Sequence, residues 1–269
     1  MNWNRIRAIM RKDIRSITAE KMVLIPMVIV PLMLCIVVPG AIAAMALALG
    51  EVLVTGVQYV EKLIPLYPVP GDLPTLTDQV LFIFLNYTFL PFFMLVPIMA
   101  SSVIAANSVV GEKERRTLET LLYTPVTNRE FLTAKLLASL VPAVLVSWVG
   151  FAGYFVVLNL IYGLVRGMLI VRSWIWLPAI LLLSPAVSLL GLSITLVVSL
   201  KAKTYNEAQQ TAGVIVLPFI VLIVVQIAGL ITFRPVLVIG LAAALAAVSY
   251  LIIARLAPRF SREGIISTL

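Results

Sequence analysis

The sequence lacks histidine altogether and holds a single cysteine, Cys35, among its 269 residues. Imidazole and thiolate are the usual ligands of zinc and haem iron, so neither kind of centre has its donors here. One cysteine cannot build an internal disulfide framework. Without histidine there is no Ser/His/Asp or Cys/His set for nucleophilic catalysis. A hydrolase would need a Ser–Lys arrangement, yet every lysine lies outside the long apolar runs. A phosphate-cradling loop ending in Gly-Lys-Ser/Thr is also missing, so the chain has no nucleotide-hydrolysing site of its own. Charge is scarce as well. Asp, Glu, Lys and Arg make up 12% of the residues, against about 25% in soluble domains.

Apolar length takes the place of charge. Hydrophobic residues reach 62% and the mean hydropathy is +1.11. Crossing about 30 Å of hydrocarbon takes roughly 20 apolar residues in a helix. Six runs reach that length without one Asp, Glu, Lys or Arg: 22–49, 80–110, 136–165, 173–200, 211–233 and 235–254. They read as transmembrane helices, because a barrel would show short alternating strands instead. The expected fold class is all-α and polytopic, a single transmembrane domain over residues 1–269. Ala41-Ile42-Ala43 resembles a signal-peptide cleavage site. The long charged segment before it and the length of the run favour a retained span.

The charge that remains is unevenly distributed. With the N-terminus placed in the cytoplasm, the inner segments hold 16 of the 20 Lys and Arg, and the outer ones hold only Lys62, Arg166, Arg172 and Arg234. This positive-inside asymmetry predicts that both termini are cytoplasmic. The net charge of +8 therefore follows topology and anionic lipid headgroups rather than nucleic acid. Within residues 1–21, Trp3, Ile6, Met10, Ile14 and Ile17 recur at spacings of three and four, with Arg5, Arg7, Arg11, Lys12 and Arg15 on most of the remaining arc. That pattern predicts an amphipathic helix lying on the membrane surface, against lipid. The loop 50–79 is expected outside. It is acidic, with a short helix over Val52 to Leu66, and Pro65, Pro68, Pro70 and Pro74 impose an irregular return.

Most of the patterned polar sequence lies in the inner loop 111–130. In a helix, Leu118, Leu121 and Leu122 form one small apolar ridge, and Glu112/Arg116 and Arg115/Glu119 are opposite charges at helical spacing. Pro125 stops that helix. Thr127 and Glu130 then fit a capping box for a second helix that runs into span three. Ridge, stop and cap together suggest a docking surface rather than a plain hairpin.

The spans themselves carry no ionisable group of the kind that carriers and pumps use to bind protons or ions. Neutral polar residues are the only candidates for a lined pathway: Asn86, Tyr87 and Gln226, isolated in apolar surroundings, and then Asn107, Asn159 and Asn206. Each can equally serve as a hydrogen bond between helices. Three readings stay open on the residues alone: a subunit driven by a partner ATPase, a partner-independent channel or ion-coupled carrier, and a non-transporting membrane anchor for an ATPase.

The loop resembles that of ABC-2 type transporter permeases. The resemblance rests on Gly111-Glu112-Lys113-Glu114-Arg115-Arg116-Thr117-Leu118-Glu119-Thr120-Leu121-Leu122, then Thr124-Pro125-Val126-Thr127 and Lys135. Weaker echoes are Asn206-Glu207-Ala208-Gln209-Gln210 and Phe260-Ser261-Arg262-Glu263-Gly264-Ile265-Ile266. It implies a six-span permease with an N-terminal elbow helix. It further implies export across a prokaryotic plasma membrane by a dimer with a second copy or a homologous permease. By the same likeness the inner loop is a coupling helix seated on two cytoplasmic ABC ATPases. Glu112, Glu114, Arg115, Arg116, Thr117, Leu118, Glu119, Leu121, Leu122 and Pro125 are then the coupling residues. ATP and Mg would be bound by the partners, with no cofactor on this chain.

Overall fold

A computed structural model describes residues 2–19, 21–50, 64–114, 127–202, 204–228 and 230–256. The expected coupling stretch 115–126, most of the helix expected over 52–66 and the C-terminal echo at 260–266 lie outside the described residues. Among the described residues every regular element is helical. The first, α1, runs over Trp3–Ala19. Six helices long and apolar enough to cross a membrane follow: Met27–Leu49, Leu76–Gly111, Arg129–Arg166, Trp176–Ser199, Tyr205–Gln226 and Pro235–Arg255. The termini of α1 and of spans two to five fix two ends of the bundle. The near end carries α1 and the connection between spans two and three. The far end carries the connections after spans one, three and five.

The span count matches the run count, but several boundaries move, each for a local reason. Span two begins at Leu76 because Thr75 caps it: the Thr75 hydroxyl accepts from the Asp78 backbone N–H at 3.1 Å. The third helix begins at Asn128, where both arms of the Thr127/Glu130 capping box are present. It passes straight through Lys135, the charge at which the apolar run stops. Gly167, in the left-handed region at φ +72°, ends it. The fifth span ends at Gln226, sooner than the run 211–233 suggests. Pro235 disfavours helix at Arg234 and instead opens span six.

Span two is the axis of the fold. Of its most apolar window 78% is buried within the chain, against 17% for span six, which lies at the periphery. Aromatic rings tie span two to spans three and four: Phe89 stacks on Tyr154 with centroids 5.2 Å apart, and Trp176 lies 5.5 Å from Phe93 and 5.0 Å from Phe151. Gly191 lets span four approach span two closely, since a Cβ there would fall 2.8 Å from Ile98 Cγ1 and 3.0 Å from the Ile98 carbonyl oxygen. Four π turns interrupt the described spans: one in span one at Met33–Val37, two in span two at Phe84–Thr88 and Asn107–Gly111, and one in span four at Ala179–Leu183. Such wider turns shift the side-chain register and occur often at functional sites.

Candidate coupling site

At the near end α1 packs along the start of span three. Its inward face is Ile6, Ile9, Asp13 and Ile17. Ile6 and Ile9 join Val109, Phe131, Leu132, Leu192 and Leu196 in one apolar cluster, so α1 is seated on the ends of spans two, three and four. Ile17 packs with Met27, Ala100, Val103, Ile104 and Ala143.

An acid in the middle of that face needs a partner, and it has one. Lys135, only 1% exposed, donates to Glu112 Oε2 at 2.7 Å and to the Ser108 carbonyl oxygen at 2.6 Å, and its ammonium lies 3.0 Å from Asp13 Oδ2 as an ion pair. Two hydrogen bonds and a second carboxylate thus surround the one ammonium. The Ser108 hydroxyl donates to Asp13 Oδ2 at 3.0 Å. Lys12 pairs with the other Glu112 oxygen and lies 3.6 Å from Asp13 Oδ1. Asp13 and Glu112 are themselves nearly inaccessible, at 3% and 8%. Two carboxylates and two ammonium groups balance, which is the condition for burying charge at all. The knot joins α1, the π turn closing span two and the first turns of span three. It stands at the root of the 115–126 segment.

A second tie lies beside it. Glu130 not only closes its own capping box but also accepts from the Asn2 backbone N–H at 2.5 Å, with Arg5 at 3.8 Å. One carboxylate thus terminates two helices. Glu114 Oε1 accepts from the Tyr205 backbone N–H at 3.1 Å, which links the same connection to the start of span five. Of the expected coupling residues, Glu112 and Glu114 are therefore placed. Arg115, Arg116, Thr117, Leu118, Glu119, Leu121, Leu122 and Pro125 lie outside the described residues. Sequence reasoning did not single out Asp13. The available signal was its register: it sits seven residues after Ile6, four after Ile9 and four before Ile17, the only acid in the stretch Trp3–Ala19.

The far end gathers the expected pathway residues. Asn86 donates to the Phe82 and Ile170 carbonyl oxygens at 3.0 and 2.9 Å and accepts from the Ser173 N–H at 3.1 Å. The Tyr87 hydroxyl accepts from the Ser173 hydroxyl at 3.1 Å, and Gln226 donates to the Tyr87 carbonyl oxygen at 2.6 Å. Asn159 secures the same connection by accepting from the Ile170 and Val171 N–H groups, both at 2.9 Å. All four side chains are buried. Tyr87 lies on the wall of a cleft of about 620 Å³ with Asp72, Phe82, Arg172 and Ser173, whereas Asn86 and Gln226 are not among its lining residues. Arg172 clasps Asp72 across the cleft mouth, with NH1 at 2.7 Å from Oδ2. That bond to the guanidinium is the main reason the Asp72 carboxyl is held below the usual carboxylate range. A separate, almost wholly apolar groove of about 610 Å³ opens between spans one and three, lined by Met27, Pro31, Ile36, Val149, Gly153 and their neighbours.

Six apolar helices with buried ionic ties at one end define a multi-pass helical membrane protein. The family model described as ABC-2 family transporter protein matches residues 7–257, and the chain belongs to that family. It is a permease subunit of an ABC transporter, the membrane part rather than the ATPase, and permeases of this kind associate with ABC ATPases. Among curated proteins none matches the chain.

Proposed function

We propose that this chain forms the translocation pathway of an ATP-driven exporter, working as a dimer with a second permease and driven by two separate cytoplasmic ATPases. The near end then faces the cytoplasm of a prokaryotic cell, in keeping with 16 of 20 basic residues in its segments. ATP and Mg bind on the partner chains. The observation that carries the reading is the Lys135 knot. A force applied to 115–126 enters the bundle where α1, span two and span three are fastened by buried, fully paired charges. Such a joint deforms less readily than exposed pairs, so displacement of the segment moves the three elements together. The apolar groove between spans one and three and the lack of Asp, Glu, Lys and Arg in the six apolar runs favour a hydrophobic or amphipathic substrate over a bare ion.

The test is capture of the tagged permease in mild detergent from its native membrane, with assay of the eluate for ATP hydrolysis. The expected result is a stoichiometric ATPase that Glu119→Arg releases. A monodisperse permease that never retains a nucleotide-hydrolysing partner would overturn the coupling reading. Flux in liposomes without ATP would then identify a partner-independent channel or carrier.

A further inference from the structure

The five basic residues of α1 fall into two sets. Arg5 and Lys12 lie on one flank and, though part-exposed, turn to the buried carboxylates Glu130 and Glu112. Arg7, Arg11 and Arg15 recur every fourth residue and are all exposed. They form a single ridge about 12 Å long. The order around the helix gives that ridge its meaning. Between the inward face (Ile6, Ile9, Asp13, Ile17) and the arginines lies an apolar flank of Trp3, Met10 and Ile14. Trp3 is 52% exposed and the other two are half-buried. Passing round α1, protein contact gives way to apolar surface and then to guanidinium. A helix held at a bilayer boundary needs that sequence of surfaces: the apolar flank enters the acyl boundary and the cations meet the phosphates.

We propose that Arg7, Arg11 and Arg15 form a binding ridge for anionic phospholipid headgroups, with Trp3, Met10 and Ile14 seated in the acyl boundary beneath them. Arginine suits the task because its planar fork takes two phosphate oxygens at once. Charge complementarity favours lipid over an acidic protein surface, because the apolar flank directly beside the ridge has no aqueous partner to explain it. The inward face of the same helix carries Asp13, so lipid held on the ridge steadies the Lys135 knot from outside.

The test uses the full-length chain, delipidated in mild detergent and titrated with vesicles of phosphatidylcholine alone or with phosphatidylglycerol added. Lipid retention is read by native mass spectrometry. Each basic residue near an anionic surface contributes roughly a fivefold gain. Arg7→Gln with Arg11→Gln and Arg15→Gln is therefore expected to weaken phosphatidylglycerol retention by about a hundredfold. Arg255→Gln, an exposed basic change on span six, is expected to leave it nearly unchanged. The three Arg→Lys changes should keep the salt-sensitive attraction and lose the tighter part of it. If the triple Gln variant does not yield folded protein, the wild type alone decides, since its phosphatidylglycerol retention must fall steeply with added salt. Equal retention of both lipids by the wild type would overturn the proposal. So would a folded triple variant that keeps its phosphatidylglycerol. No ATP or partner enters the measurement, so its failure is distinct from failure of the coupling reading.

Discussion

Lys135 shows how one side chain can be misjudged from sequence and still mark the right place. A lysine that ends an apolar run reads as the membrane boundary, yet here it is buried in the third helix, bonded to Glu112 and the Ser108 carbonyl oxygen and ion-paired with Asp13. Its partner Asp13 was not legible because hydrophobic periodicity counts only apolar residues, and an acid on the inward stripe looks like an interruption. Glu112 was legible from the family-like loop, although its role as a bridge between two lysines was not. Removing one member of a fully paired buried set leaves the others uncompensated. Lys135→Ala is therefore expected to cost about 3–5 kcal/mol, seen as a lowered midpoint in thermal unfolding of the detergent-solubilised protein. Lys135→Met combined with Asp13→Asn and Glu112→Gln should recover much of that loss, because the one charge left without these partners, Lys12, reaches water. A melting midpoint equal to wild type in Lys135→Ala would mean that the knot contributes no stability.

At the scale of elements, six helices were readable because membrane crossing fixes a minimum apolar length, and nothing else in the sequence satisfies it. Their ends were readable only where a cap has its own signature, as at Thr127/Glu130. The start of span two has its own cap in Thr75 and Asp78, which apolar length alone passes over, and neither the early end of span five nor the π turns follow from apolar length. Small residues were equally ambiguous as a class, and the packed helices divide them sharply. Gly191 touches both a side chain and the backbone of span two, so Gly191→Ala must push spans two and four apart. The expected cost is about 1–3 kcal/mol. Gly240 on span six would give an added Cβ no neighbour within 4 Å, and Gly240→Ala should leave the melting midpoint unchanged or raise it. Comparing the two midpoints in one detergent is the check. Equal effects would contradict the close approach of spans two and four.

Taken whole, the molecule is fastened differently at its two ends. The near-end knot centres on buried Lys135, Asp13 and Glu112. The far-end clasp between Asp72 and Arg172 is instead open to water, with side chains 54% and 29% exposed, and lies over a deeper pair of Arg166 with the inaccessible Asp78. Exposed pairs are screened by salt and buried ones much less so. Raised salt should therefore loosen the Asp72–Arg172 clasp while the buried pairs at both ends hold. Acid adds a second lever with a definite sign. Asp72 is depressed by its bonds to Arg172, so the clasp contributes fully above the ordinary aspartate value of about 4. The contribution is lost as pH falls through the lower, folded-state value. Hydrogen exchange of residues 64–75 should accelerate below that value, and Asp72→Asn should reproduce the acceleration at neutral pH. Residues 130–137 should stay protected in Asp72→Asn at neutral pH. If both ends loosened together in Asp72→Asn, the clasp would be part of one cooperative unit with the knot rather than a separately released gate.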